Sequence, residues 1–239
     1  MEKWNTSLVI VGPSTSGKTE LAFTIAETLS GEVINADKYY LVRGFPTMTG
    51  LPNFSSHPTV KSHLYAELDP TEDTLNLVDY ANRVTRIESE IKGRGNLEII
   101  EGSYHRFIRS LLDSGRSYNC IGIKWSGNLE SRVRKRVEDV VFHEEQGIDE
   151  VRRGLMNGWR DTYVMKHGSA IRPIVEYLDG KISLDLAKEK IVYEVLATAY
   201  KAYRKFLEFP EITWLENSPD QSERLTREVM ESIRRTNNH

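Results

Sequence analysis

The sequence predicts an α/β domain, a parallel sheet flanked by helices, with a small helical subdomain toward the C-terminus. Short β-branched runs alternate with amphipathic helical stretches, the pattern of a parallel sheet covered on both faces. A glycine-rich turn joins the first strand to the first helix, and the second half of the chain reads as almost wholly helical.

The elements follow in order. Leu8-Val9-Ile10-Val11 is a buried strand that stops at Gly12-Pro13, and residues 18–29 form a helix whose stripe is Leu21, Ala22, Ile25, Ala26 and Leu29. Residues 32–36 are a second strand. The stretch 38–62, punctuated by Gly44, Pro46, Gly50, Pro52 and Pro58, is an ordered excursion over a site. A helix over 71–92, strands at 97–100 and 120–125, and a helix over 103–114 between them continue the alternation. Helices are predicted over 128–146, 148–157, 169–178, 183–208 and 220–236, with an edge strand at 211–215. The division is therefore an α/β core over 1–125 and, over 126–239, a helical region that closes the pocket.

Composition narrows the function classes. The 239 residues hold 39% apolar side chains, enough for one sizeable core, and Lys plus Arg (32) nearly balance Asp plus Glu (35). A net charge of −3 argues against a protein whose main task is gripping a nucleic-acid backbone. One cysteine excludes an internal disulfide, and no apolar run approaches the ~18 residues of a membrane span. The expected setting is the cytoplasm. The six histidines show no metal-ligand spacing, and no nucleophile elbow is present.

Gly12-Pro13-Ser14-Thr15-Ser16-Gly17-Lys18-Thr19 matches G-x-x-x-x-G-K-[ST] at every fixed position, after a strand and before a helix. Such a loop turns its backbone N–H groups around a diphosphate or triphosphate, Lys18 adds a full charge, and Thr19 can hold Mg²⁺. Asp37, closing the second strand, lies where ligands bind in open parallel sheets, as a general base or a metal partner. Arg132 and Arg136, four apart on one helix, flank its apolar stripe and can reach a phosphate; Arg172 is a third candidate. Tyr193, Tyr200 and Tyr203 share one broad helical face, which suits either core or a half-apolar pocket.

With these residues in view, the sequence resembles the isopentenyltransferases, that is, the tRNA dimethylallyltransferases and the adenylate isopentenyltransferases that make cytokinin precursors. The likeness runs in order through the cradle, Asp37, Arg43-Gly44, Thr49-Gly50, His63-Leu64, Leu68-Asp69-Pro70 and Asp79-Tyr80. It continues through Ile99–Ser103, Arg132, Arg136-Val137, Glu145–Val151, Tyr177-Leu178-Asp179-Gly180 and Ile182–Leu184, so it covers roughly residues 7–208. The resemblance implies a P-loop NTPase-like fold whose cradle holds dimethylallyl diphosphate, with Mg²⁺ as cofactor. The exocyclic amine of an adenine attacks the allylic carbon and diphosphate leaves. It implies that Asp37 is the base, that Ser14 touches the reacting centre, and that Lys18 and Arg136 hold the diphosphate. Ser103 and Asp179 fall in matching segments on the acceptor side.

Two departures set the acceptor expectation. The tRNA enzymes usually follow the aspartate with Ser-x-Gln, whereas this chain reads Asp37-Lys38-Tyr39-Tyr40. Only 28 residues separate Ser103 from Arg132, too few for the long helical insertion of those enzymes. The expectation is therefore a free adenine nucleotide, AMP first, with Lys38 on its phosphate and Thr49 as a hydrogen-bond donor. Tyr200 and Tyr203 would line the prenyl pocket. On this reading tRNA is not the expected partner and the chain is a monomer. The alternatives are a tRNA dimethylallyltransferase-like activity, a small-molecule or nucleotide kinase, which would use the same cradle for phosphoryl transfer, and a non-catalytic nucleotide switch.

Overall fold

The computed structural model describes residues 6–218 and 222–237. The first half alternates β1 (Ser7–Val11), α1 (Lys18–Leu29), β2 (Gly31–Asn35), the single turn α2 (Pro46–Thr49), β3 (Ser62–His63), α3 (Leu77–Gly93), β4 (Leu97–Gly102), α4 (His105–Leu112) and β5 (Tyr118–Trp125). The second half runs α5 (Leu129–Arg136), α6 (Gln146–Met156), α7 (Tyr163–His167), α8 (Ile171–Leu178), α9 (Leu184–Phe206), β6 (Ile212–Asn217) and α10 (Ser222–Asn237). The six strands form one sheet in the order β3-β2-β4-β1-β5-β6, and every pairing is parallel.

Period-two alternation explains how the sheet buries both faces. Val9 and Val11 of β1 join Ile100 of β4 in a core with α3, α4 and the end of α9, where Tyr80 stacks on Phe107 at 3.8 Å between ring centres. Leu8 and Ile10 point the other way, into a core made with α1 and α10. A third apolar cluster lies between α5, α6, α8 and α9 and takes Val42, Phe45 and Met48 from the excursion after β2.

Several boundaries differ from the sequence expectation. The helix expected from residue 71 begins at Leu77, because the Asn76 carboxamide oxygen accepts from the Asp79 N–H (2.9 Å) and caps it there. The helix expected over 128–146 breaks after Arg136 into a π-helical turn over Val137–Val141 and a 3-10 turn over His143–Glu145. Glu145 then turns left-handed (φ +58°), so α6 starts at Gln146. The edge strand runs over 212–217 rather than 211–215, and β3 had no sequence signal beyond two residues. β6 hydrogen-bonds β5, and α10 packs in the α1 core, so the C-terminal strand and helix belong to the sheet rather than to the helical layer.

A buried carboxylate fastens the β3 edge. Glu32 on β2 accepts Arg94 Nε and Nη2 (2.7 and 2.8 Å), Asn96 Nδ2 (2.9 Å) and His63 Nε2 (2.7 Å). Burial raises its pKa, but those hydrogen bonds outweigh burial and hold it at about 2. A depressed folded pKa stabilises the protein above the ordinary glutamate range, and that contribution fades as pH falls through about 2. Glu32→Gln is therefore expected to cost on the order of 2–3 kcal/mol at pH 6. Urea titrations of both proteins across pH should show the difference shrinking between about pH 4.5 and 2.

Candidate active site

The C-terminal ends of β1, β2 and β4 open into one cleft of about 1260 Å³. Its floor is the glycine-rich turn. Gly17 sits at φ +85°, which glycine adopts freely, and a Cβ there would run into the Asn217 carboxamide. That carboxamide donates to the Ser16 carbonyl (2.8 Å), and the Trp125 indole donates to the Ser14 carbonyl (3.0 Å). Both side chains turn loop carbonyls outward, which leaves the N–H groups and the start of α1 for an anion. The Thr15 and Ser16 hydroxyls are buried without a hydrogen-bond partner, as expected of a loop built to receive a ligand's oxygens. Ser14, Thr15, Gly17, Lys18 and Thr19 line the cleft, whereas Gly12 and Ser16 underlie it.

Glu101, at the end of β4, is fully buried behind this floor. It accepts the Thr19 hydroxyl (2.9 Å) and the Tyr65 hydroxyl (2.6 Å). Burial pushes its carboxyl up, opposed by the Lys18 ammonium and by those two hydrogen bonds. Because the Thr19 hydrogen points back to Glu101, its oxygen lone pairs are free for a hard cation, the donor chemistry Mg²⁺ prefers. Among the described residues no group of three or more His, Cys, Asp or Glu gathers to hold a metal alone. Any Mg²⁺ would thus share its coordination with ligand phosphates and water.

Asp37 follows β2 on the opposite wall. Asn35 fixes it: the Asn35 Oδ1 accepts the Asp37 N–H (2.6 Å), and the Asn35 Nδ2 donates to the carbonyls of Asp37 (2.9 Å) and Leu64 (2.8 Å). One Asp37 oxygen accepts the Tyr39 N–H (3.2 Å) and the other accepts the Ser103 hydroxyl. Each oxygen keeps a lone pair for a proton arriving from the cleft. Arg136 lines the cleft and donates to the Gly50 carbonyl (3.4 Å). Gly50 has φ +76°, and a Cβ there would strike the Arg136 guanidinium. The buried Glu150 carboxylate accepts the N–H groups of Thr47 and Met48 (2.9 and 3.0 Å) and so anchors α2, which presents Gly50.

The structure thus gathers Ser14, Lys18, Thr19, Asp37, Lys38, Thr49, Ser103 and Arg136 around one cavity. Other expected residues lie elsewhere. Arg132 does not line it; the helix presents Arg136 instead, one turn further on. Asp179 pairs with Arg160 (2.8 Å) and Lys181 (3.0 Å) outside the cleft. The Thr49 hydroxyl donates to the Phe45 carbonyl (2.8 Å), so its hydrogen is not free for an acceptor. Lys38 lies over the Tyr163 ring, 3.8 Å from its centre. Arg172 pairs with Glu194. Tyr203 packs between Trp125 and Trp214, and Tyr200 leans on Trp125 while half-exposed, so neither lines a prenyl pocket. The apolar wall is instead Met48, Val133, Val137, Val141, Ile191 and Val195.

Sequence reasoning missed Glu101, Trp125 and Asn217. Glu101 carried a signal, a charged residue inside Leu97–Gly102, where both faces of the strand are buried. Trp125 and Asn217 carried none, because their roles depend on the pairing of β5 with β1 and of β6 with β5.

No family model matches the chain. A tRNA dimethylallyltransferase of Thermomicrobium roseum is 33% identical over 152 residues, 63% of this chain and 46% of its own length. Adenylate isopentenyltransferase 8 of Arabidopsis thaliana, a chloroplastic protein, is 36% identical over 105 residues, 44% of this chain and 32% of its own. Over part of its length the chain is thus similar to members of the isopentenyltransferase family. It spans about half the length, or less, of the curated relatives it matches. The crystal structure of a tRNA isopentenylpyrophosphate transferase from Staphylococcus epidermidis shares the fold, with a TM-score of 0.87 at 18% identity, covering 97% of this chain and all of that one. The chain therefore has the expected P-loop NTPase-like α/β fold. The expectation that tRNA is an improbable partner loses its support, because tRNA dimethylallyltransferases predominate among the sequence relatives. Among the described residues no helix is long and apolar enough to cross a membrane.

Two substitutions test the cradle. Lys18→Ala should weaken inorganic pyrophosphate binding by about 10- to 100-fold, the worth of one charge-assisted hydrogen bond, in isothermal titration. Gly50→Ala should weaken the same binding by displacing Arg136, while Arg136→Ala in the Gly50→Ala background should weaken it little further.

Proposed function

We propose that this chain is an isopentenyltransferase that moves a dimethylallyl group from dimethylallyl diphosphate to the exocyclic N6 amine of an adenine. The observation that carries the proposal is the pairing, across one cleft, of a diphosphate cradle with a carboxylate positioned by Ser103. The adenine amine forms a bond to the allylic carbon while the carbon–oxygen bond breaks and its electron pair leaves with diphosphate. Negative charge then builds on the leaving oxygens, where the loop N–H groups, Lys18 and Arg136 meet it. Asp37 takes the proton that the amine sheds as it becomes cationic. The wall of Met48, Val133, Val137 and Val141 receives the five-carbon tail and keeps water from the allylic centre. Thr19 would hold Mg²⁺, which would supply further neutralisation of the leaving charge.

The prevalence of tRNA dimethylallyltransferases among the relatives makes an adenine within tRNA the first acceptor of this proposal. A free nucleotide such as AMP, giving a cytokinin precursor, is the second reading. It is favoured by the Lys38 ammonium at the cleft and by the likeness to the plant adenylate enzyme. The kinase alternative has no comparable support.

Mass spectrometry of products from dimethylallyl diphosphate with a tRNA transcript, AMP or ADP should show a five-carbon increment on adenine. A phosphorylated product formed from ATP, with no such increment, would overturn the proposal. Asp37→Asn should lower turnover by at least ~10²-fold yet leave pyrophosphate affinity within about twofold. A variant that retained most of its rate would remove Asp37 as the base.

A further inference from the structure

The cleft carries a second cluster of basic side chains, at the end beyond Asp37. Lys38 follows Asp37 in the chain, and Tyr104 and His105 follow Ser103, whose hydroxyl donates to Asp37. Lys201 enters the lining of the same cavity from α9. The half-buried Lys38 ammonium stands over the Tyr163 ring (3.8 Å) and 5.8 Å from the Tyr104 ring. The Tyr104 and His105 rings lie 5.9 Å apart, and His105 stands edge-on to Phe206 of α9.

These cations have no anion. The other three lysines of α9 are paired, Lys188 with Glu138, Lys190 with Glu176 and Lys205 with Glu208. Among the described residues Lys38, Lys201 and Arg106 make no ion pair, although Lys38 adjoins Asp37 in the chain. Burial pushes the His105 imidazole below its usual range, and Lys205, Arg106 and Lys201 push it the same way against Glu208. That end of the cleft therefore sits in a positive field. An ammonium has three donors and no acceptor, so two of them unpaired on a cavity wall call for an anion. The cradle has its own cations, Lys18 and Arg136. Lys38 and Lys201 stand instead on the side of the base.

We propose that Lys38 and Lys201 form a second anion subsite, which holds a phosphate of the acceptor while its adenine amine faces Asp37. This rests on the assignment of the Asp37 side to the acceptor. The 5′-phosphate of a free nucleotide and the phosphodiester beside an adenine in RNA share the required chemistry. Lysine suits both, because it binds phosphate as a point charge and needs no bidentate geometry. The Tyr163 ring face holds the Lys38 ammonium at the cavity before the phosphate arrives.

Isothermal titration with inorganic pyrophosphate, adenosine, AMP and a tRNA transcript, without the five-carbon donor, tests the subsite. Lys38→Ala with Lys201→Ala should leave pyrophosphate and adenosine affinity within about twofold. If a free nucleotide is the source, the unmodified protein should prefer AMP to adenosine by about 10- to 100-fold, and the double variant should lose that preference. If RNA is the source, AMP and adenosine should bind alike, and the double variant should flatten the slope of log affinity against log salt for the transcript by about 1–2. Lys38→Arg with Lys201→Arg should keep whichever signature is found, and its loss in that pair would overturn the proposal. Pyrophosphate binding weakened as much as AMP binding would assign both lysines to the cradle and overturn it too. So would a double alanine variant unchanged in nucleotide preference and in salt slope. Because no transfer is measured, these outcomes are independent of whether a five-carbon unit reaches adenine.

Discussion

A single buried carboxylate, Glu101, holds the site together. It lies at the end of β4, between the strands that lead into the glycine-rich turn and into Asp37, and it is shielded from water. An isolated charge there would be costly, and the neighbouring Lys18 ammonium and two hydroxyl hydrogen bonds offset that cost. The same contacts orient Thr19 and Tyr65 and set the electrostatic background of the floor. The Lys18 ammonium and the loop N–H groups supply the positive potential in front of it.

The cleft divides its work by polarity. Its polar end has fixed donors held by side chains from distant strands, Trp125 from β5 and Asn217 from β6. Its apolar end comes from α2, α5, the π-helical turn and α9. Donors fixed before the ligand arrives need no reorganisation as charge develops, which is where such sites gain most of their effect. The break after Arg136 matters here. The π-helical turn carries Val137 and Val141, which continue the cleft wall begun by Val133.

Much of this was legible before folding. The cradle is local, so its motif, flanking strand and flanking helix could all be read within one stretch of twenty residues. Asp37 was legible because a carboxylate at a strand's C-terminal end has a known place in a parallel sheet. The apolar wall was not, because α9 carries tyrosines on one side and small aliphatic residues on the other, and its pattern does not say which side meets the ligand. Tyr200 and Tyr203 were chemically suitable for the pocket and lie on the wrong side of the helix. Asp179 sits in a segment that resembles the family's and spends its charge on Arg160.

The amino-acid order by itself determined the α/β class, the anion-binding turn and the residues that carry charge in it, because these depend on neighbours within a few turns of chain. Tertiary structure alone decided which arginine enters the cleft, which face of α9 is solvent-facing, and that β6 braces the cradle. Those outcomes depend on how helices of similar amphipathic pattern share a limited apolar surface, a competition between distant segments that no local pattern records.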